Sequence, residues 1–350
     1  MSAFYKLDIQ EIKKETTQNV SVLFNVPNEF KDYYSFVAGQ YVTLKLTLDG
    51  EEIRRAYSIC SALTSGELRV AIKAVENGRF SNFANNELKA GDLLEVSIPE
   101  GKFVFEPKTG HSKNYMAFAA GSGITPVMSI VQSALLQEPE STFALVYGNK
   151  SPQETIFYDQ LIQLQTQYAG RFFVHFVYSQ AESEGSLSGR IDAAIVNLVL
   201  QEKHKGKEFS EFYLCGPEEM ITIVSATLKE KNVAESAIKF ELFFASTKEV
   251  AINTPQNEHN KITVLVDGEE TTFEMSPKQT LLEASIKQGL DVPYSCQGGV
   301  CSSCLARVKT GTTVMKKNSV LSDKEVAEGL VLTCQAHPTS NEIYVDCDDV

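Results

Sequence analysis

Long apolar runs are missing from this 350-residue chain. A membrane-spanning helix needs roughly 20 consecutive apolar residues. "IDAAIVNLVL", among the longer runs here, stops at about ten. The opening "MSAFYKLDIQEIKKE" mixes charges with apolar residues and lacks the apolar stretch of a secretion signal. A positive surplus is missing too: the net charge is −13, and no run of Lys and Arg interleaves with aromatics. That balance argues against a nucleic-acid surface. No internal repeat or low-complexity tract is evident. Cysteine is scarce and odd in number, at seven residues. The expected location is therefore the cytoplasm, where clustered cysteines serve as ligands or catalysts more often than as disulfides.

The rest of the composition is that of soluble globular protein, 43 % hydrophobic and 22 % charged. The length fits roughly two to three domains. Residues 1–107 alternate apolar and polar positions, as in "QYVTLKLTL" and "ELRVAIKAV", with turn signals at Asp49-Gly50 and Asn77-Gly78. Period-two runs at short spacing predict an antiparallel β-barrel or sandwich. Over 108–245, unbroken apolar strands ("YMAFAA", "FALVYG", "FFVHFVYS", "FYLCG") alternate with helical stretches, the pattern of an α/β domain around a parallel sheet. Residues 246–260 are polar and without periodicity, and read as a linker. Residues 261–350 open with a hairpin turning at Asp267-Gly268. A short helix follows, with a capping-box pair at Thr280 and Glu283 and a terminating Gly289.

Three of the seven cysteines crowd into "CQGGVCSSC". The spacing is Cys296-x4-Cys301-x2-Cys304, with Cys334 in "LTCQAHP" following after 29 intervening residues. This is the plant-type spacing for four thiolates holding a 2Fe–2S cluster. Gly298 and Gly299 are expected to let the main chain turn and bring N–H donors close to the negative cluster. A structural zinc site is the competing reading, but zinc more often pairs C-x2-C with a second such pair, which is absent. His337 is expected to be incidental. Cys60 and Cys347 have no matching role; both read as structural, Cys347 being exposed. The order of hairpin, helix, cysteine loop and distal cysteine over 261–350 resembles the β-grasp fold of the ferredoxin family.

Upstream, Arg55-Ala56-Tyr57-Ser58 in "RRAYSIC" matches the R-x-Y-S motif of the ferredoxin–NADP reductase family. The resemblance implies that Arg55 donates to an FAD pyrophosphate, Tyr57 lies against the isoalloxazine ring, and Ser58 sits near flavin N5. "NGRFSNF" carries Gly78-x-x-Ser81-Asn82 at a predicted helix start, which is similar to the family's G-x-x-S element for pyrophosphate. The bland reading there is a glycine turn with Ser81 as N-cap. "AAGSGITPVM" runs from a strand into Gly121-x-Gly123-x-Thr125-Pro126 and a helix, a glycine turn able to aim amides at a phosphate. In the resembled family this loop holds NAD(P)H, and Cys215-Gly216-Pro217 lies beside the nicotinamide. A buried free cysteine is the commoner fate for a residue such as Cys215. Glu241 and Phe243 align with the family's Glu-x-Tyr; here the aromatic is Phe and the chain continues.

The layout of flavin barrel, nucleotide domain, linker and ferredoxin domain resembles the reductase components of multicomponent oxygenases. On "NGRFSNFANNELKAGDLLEVSIPEGKF" and "YVDCDDV" it is most similar to the branch serving di-iron phenylacetyl-CoA epoxidases. The resemblance implies an enzyme taking hydride from NAD(P)H at a site framed by Ser58, Cys215 and Glu241. Electrons would pass through FAD and a 2Fe–2S cluster to an oxygenase, with no membrane or nucleic-acid partner. The same layout would serve a Rieske dioxygenase, another hydroxylase, a hybrid-cluster protein or a redox-sensing module. NADPH is favoured slightly over NADH. Where NADPH-selecting members place Ser-Arg, this chain has Ser179-Gln180, and Lys150 and Arg190 are the substitutes for gripping a 2′-phosphate. Residues 261–350 hold 8 Lys/Arg against 13 Asp/Glu, net −5, so a basic docking patch is expected on the partner.

Overall fold

A computed structural model describes residues 3–243 and 260–350. It forms two compact units, one made mostly of Tyr5–Ile53 and Tyr57–Phe243, the other mostly of the C-terminal residues.

The first unit contains two sheets. Strands β1 (Phe4–Thr16), β2 (Asn19–Asn25), β3 (Tyr41–Leu48), β4 (Glu51–Ser58), β5 (Leu68–Lys73) and β6 (Leu93–Ser97) form a six-stranded sheet in the order β4-β3-β6-β1-β2-β5. The alternation seen in sequence buries Val20, Val22, Phe24, Val70 and Ile72 together. An antiparallel bridge between Ile59 and Val70 links the two ends of that order, so the sheet closes as a barrel. The turn between β3 and β4 is Asp49-Gly50, both at positive φ, as a two-residue hairpin of this hand requires. Helix α1 (Arg79–Asn86) follows β5.

The second sheet is parallel. Strands β7 (Asn114–Ala120), β8 (Thr142–Asn149), β9 (Phe172–Tyr178), β10 (Leu187–Ser188), β11 (Glu211–Cys215) and β12 (Ile238–Glu241) lie in the order β10-β9-β8-β7-β11-β12. Helices α2 (Ile124–Gln137), α3 (Tyr158–Gln167), α4 (Ala193–Leu198) and α5 (Glu218–Glu230) connect them. The strand order reverses between β7 and β11, and ligands of such sheets bind in the crevice at that point. Register there pairs Cys215 with Ala119.

One buried acid secures the segment that joins the two sheets. Glu138 is fully buried and accepts from Lys108 N (2.9 Å), Tyr115 Oη (2.9 Å) and Ser141 Oγ (2.7 Å). A carboxylate out of water is costly unless its lone pairs are met, and here they are.

The C-terminal unit has strands β13 (Asn260–Val266), β14 (Glu269–Met275), β15 (Leu305–Thr310), β16 (Thr313–Met315), β17 (Leu330–Leu332), β18 (Ala336–Pro338) and β19 (Glu342–Asp346). The main sheet runs β14-β13-β19-β15-β17, with β16 and β18 paired separately. Helix α6 (Leu281–Lys287) has both hydrogen bonds of the Thr280–Glu283 capping box, and helix α7 (Asp323–Ala327) repeats the device with Ser322 and Glu325. Asn260, assigned by its polarity to the linker, is instead the buried first residue of β13, paired with Met275. The remainder of the linker assignment, 246–259, lies outside the described residues. Cys347, expected to be exposed, is buried: its amide donates to Leu265 O and its side chain joins the core.

Candidate functional site

The crevice of the parallel sheet gathers three sequence-predicted residues. Ser58 ends β4, Cys215 ends β11 and Glu241 ends β12. Ser58 Oγ lies 3.4 Å from Glu241 Oε2. The register of β11 against β12 puts Cys215 directly beside Glu241. The carboxyl of Glu241 is enclosed by protein, and this burial raises its pKa to about 8, with the Ser58 hydroxyl pulling the other way. Near pH 7 Glu241 is therefore mostly protonated and able to donate. Burial, reinforced by Glu241, pushes the Cys215 thiol well above its usual value, so it stands as a neutral thiol and not a nucleophile.

Close approach explains the glycines here. A Cβ on Gly123 would lie 2.1 Å from the Cys215 carbonyl oxygen, so only glycine lets the β7 loop pass under the end of β11. Gly121 has φ +54, and its carbonyl accepts from the buried Tyr147 hydroxyl at 3.0 Å. Thr125 Oγ1 donates to Ser122 O, which ties the loop to the first turn of α2. Pro126 lies in that first turn and Pro217 caps α5, positions that need no intrahelical N–H bond. Two contributors were missed from sequence. Tyr147 is one; the other is Lys73, at the end of β5, whose Nζ lies 3.8 Å from where a Gly121 Cβ would stand. The "AIK" strand end carried the only signal for Lys73.

The predicted flavin residues divide into two kinds. Tyr57 packs at 5.6 Å from the Phe80 ring of α1. Arg55 is exposed, with Nη1 donating to the Arg54 carbonyl. Ser81 and Asn82, by contrast, spend their side chains on the turn. Ser81 Oγ accepts from Val75 N and donates to Gly78 O, and Asn82 Nδ2 donates to Val75 O. Ser81 is thus not the N-cap of α1; Gly78 is, with no side-chain cap bond. A Cβ on Gly78 would stand 2.4 Å from Ser81 Oγ. What this turn offers a phosphate is the first-turn amides of α1. Phe243 is half-buried against the parallel-sheet core.

Lys150 and Arg190 are exposed beyond the carboxyl ends of β8 and β10. Gln180 N donates to Lys150 O and Ser179 N to Asn149 O, while Gly189 N donates to Tyr178 O. Both cations therefore flank the end of β9. Lys150 is only loosely paired, with Nζ 3.9 Å from Glu154.

In the C-terminal unit the four predicted thiols come together as two pairs. Cys296 and Cys301 sulfurs are 3.1 Å apart. Pairing of β15 with β17 carries Cys334 to Cys304, and Thr333 N donates to Cys304 O at 3.0 Å. Those two thiols share a hydrogen bond. Within each pair one thiol is held low and the other high. The bond from Cys301 lowers Cys296 to about 6, while that bond and burial raise Cys301. Among the described residues, no three His, Cys, Asp or Glu side chains converge as one ion would require.

Main-chain donors surround these sulfurs. Gly298 N lies 3.3 Å from Cys296 Sγ, the Val300 and Cys301 amides also serve Cys296, and the Gly299 amide serves Cys334. Two thiol pairs ringed by N–H groups fit a two-iron, negatively charged cluster. Both glycines bring an N–H to a sulfur, but only Gly299 has to be glycine. Gly299 has φ +72, and a Cβ there would meet Gln335 Cγ at 2.9 Å. Gly298 has room for a Cβ, and the other left-handed residue is Gln297, at φ +53. His337 is buried with Nδ1 3.4 Å from Pro277 O, a packing position.

Comparison with known proteins agrees along the whole chain. Residues 6–105 match the oxidoreductase FAD-binding domain, 118–226 the oxidoreductase NAD-binding domain, and 264–339 the 2Fe-2S iron-sulfur cluster binding domain. The chain is 36 % identical to one of the subunits of 1,2-phenylacetyl-CoA epoxidase from Escherichia coli (strain K12), covering 99 % of each chain. It is 31 % identical to the ferredoxin reductase component of 3-ketosteroid-9-alpha-monooxygenase from Rhodococcus rhodochrous, over 97 % of this chain and 96 % of that one. Among solved structures, phthalate dioxygenase reductase shares the fold, with a TM-score of 0.62 at 24 % identity over 98 % of each chain.

Proposed function

Because the chain belongs to the flavin and 2Fe–2S reductases that form components of multicomponent oxygenases, we propose that its partner is a phenylacetyl-CoA epoxidase and its preferred donor NADPH. The electron path itself is that of the family: NAD(P)H to FAD to a 2Fe–2S cluster to an oxygenase component. FAD accepts the pair of electrons that a nicotinamide delivers as hydride, and a 2Fe–2S cluster passes electrons singly.

The residues divide the work as follows. Arg55 and the first-turn amides of α1 would receive the FAD pyrophosphate. Tyr57 and Phe243 would pack against the ring, and Ser58 would bond near N5. Gly78, Ser81 and Asn82 keep that turn in shape. Gly121, Gly123, Thr125 and Pro126 shape the loop that receives the nucleotide pyrophosphate, and Cys215, Gly216 and Pro217 line the nicotinamide end. Glu241, neutral near pH 7, would offer Ser58 a proton-bearing partner without placing a full negative charge beside an incoming hydride. Cys296, Cys301, Cys304 and Cys334 would hold the cluster.

NADPH is favoured by the flanking of the β9 end by Lys150 and Arg190, two exposed cations where a 2′-phosphate would sit. No helix of the described residues is long and apolar enough to cross a membrane, and the chain is read as cytoplasmic. With the ferredoxin segment at net −5, a basic docking patch is expected on the oxygenase.

The observation that carries the partner is identity of 36 % spread over 99 % of both chains, which leaves no domain unmatched. The test is reconstitution with purified phenylacetyl-CoA epoxidase components and NADPH. Coupled epoxidation supports the reading. NADPH oxidation that never becomes epoxide, alongside coupled turnover with another oxygenase, would overturn the partner while leaving the family in place.

A further inference from the structure

Gln335 follows the fourth cysteine and is buried. Its main chain is pinned on both sides, the amide donating to Leu332 O at 2.8 Å and the carbonyl accepting from Lys316 N at 3.0 Å. From that anchored position, Nε2 reaches the Gln297 carbonyl oxygen at 3.1 Å and lies 3.7 Å from Cys334 Sγ. A carbonyl oxygen only accepts, so the nitrogen end of the amide must face it, and the orientation follows from chemistry.

The two acceptors are not ordinary. Gln297 belongs to the ligand loop and holds φ +53, a backbone region that side chains other than glycine seldom adopt. Gly299, two residues on, packs against Gln335 Cγ so closely that a Cβ would stand 2.9 Å away. Gln335 therefore bridges the strained part of the loop and the sulfur of a cluster ligand. An apolar side chain of equal length would fill the same volume, and a buried amide is disfavoured unless its donors are used. Hydrogen bonds to cluster sulfurs favour the more negative, reduced form and so raise the reduction potential.

We propose that Gln335 is a positioning residue for the cluster: the Gln297 carbonyl fixes the orientation of its amide, and that amide poises the cluster potential through the Cys334 sulfur. This rests on the 2Fe–2S reading of the four thiols.

The test is an EPR-monitored redox titration of the full-length holoprotein, wild type against Gln335→Met and Gln335→Leu. Both variants keep the bulk and lose the donors. The expected result is a cluster that still forms, with the reduced-to-oxidised ratio at the wild-type midpoint lowered about tenfold, about 59 mV for one electron. An unchanged midpoint in a loaded variant overturns the proposal. Loss of the cluster from both variants overturns it too, since poise and not assembly is what Gln335 is assigned. A wild-type protein with no 2Fe–2S signal after reconstitution would instead remove the cluster reading beneath it.

Discussion

Ser58 Oγ and Glu241 Oε2 meet at 3.4 Å although 183 residues separate them in sequence. One ends a barrel strand and the other ends the last strand of the parallel sheet, so the pair exists only when both sheets are folded. Its chemistry is set by burial, which lifts the Glu241 carboxyl to about 8.

The sign of the pH effect follows. The unfolded carboxyl titrates near 4.3, so between about 4.3 and 8 the folded chain binds the extra proton. Folding is then progressively disfavoured as pH rises through that window. Glu241→Gln keeps the shape and removes the titration. Thermal melts of the FAD-loaded protein should lose part of their decline between pH 5 and 8, and flavin reduction by NADPH should lose an inflection near pH 8. Unchanged slopes in both would contradict the assignment.

Gly123→Ala places a methyl on a main-chain carbonyl, which cannot swing aside as a side chain can. Either the loop moves or the strand end does, at about 3 kcal/mol. The expected readout is NADPH affinity weakened by about tenfold or more, with the FAD spectrum intact. Isothermal titration against wild type checks it.

Cys334→Ser removes one thiolate of the second pair. The protein should retain FAD and its reduction by NADPH but lose the 2Fe–2S EPR signal and electron delivery to a one-electron acceptor protein. Ferricyanide, which takes electrons directly from reduced flavin, should still be turned over.

His175 of β9 and His204, which follows the helical stretch begun by α4, form a largely buried pair with Nε2 atoms 2.9 Å apart. Burial first, then His204 and Lys203, depresses His175 to about 4; burial and Lys207 depress His204. Phe173 and Phe209 enclose the His204 ring and offer no counter-charge. Unfolded histidine titrates near 6.5, so the stability present above that pH is lost as pH falls towards 4. His175→Gln should flatten this acid limb by an amount on the order of 2 kcal/mol. Melting temperatures across pH 4–7 measure it.

How legible was all this beforehand? Local rules carried far. The Thr280–Glu283 box and the Asp49-Gly50 and Asp267-Gly268 turns each depend on a few neighbouring residues, and each is realised. That Ser58 and Glu241 share one site was reachable only through resemblance, because no periodicity links residues so far apart. Tyr147, Lys73 and Gln335 left almost no trace, since each is defined by what packs beside it: Gly121 for the first two, Gln297 for the third. The same reason misplaced Cys347, which is buried where its amide meets β13 at Leu265 O. It also misjudged Gly298, since which residue of a loop turns left-handed is settled by the loop's surroundings.

The most direct measurement is an anaerobic spectral titration of the purified, FAD- and cluster-loaded protein with NADPH and, separately, NADH. Both the flavin and the iron–sulfur bands are expected to bleach, with NADPH effective at the lower concentration. Flavin bleaching with a cluster that stays oxidised would contradict this expectation.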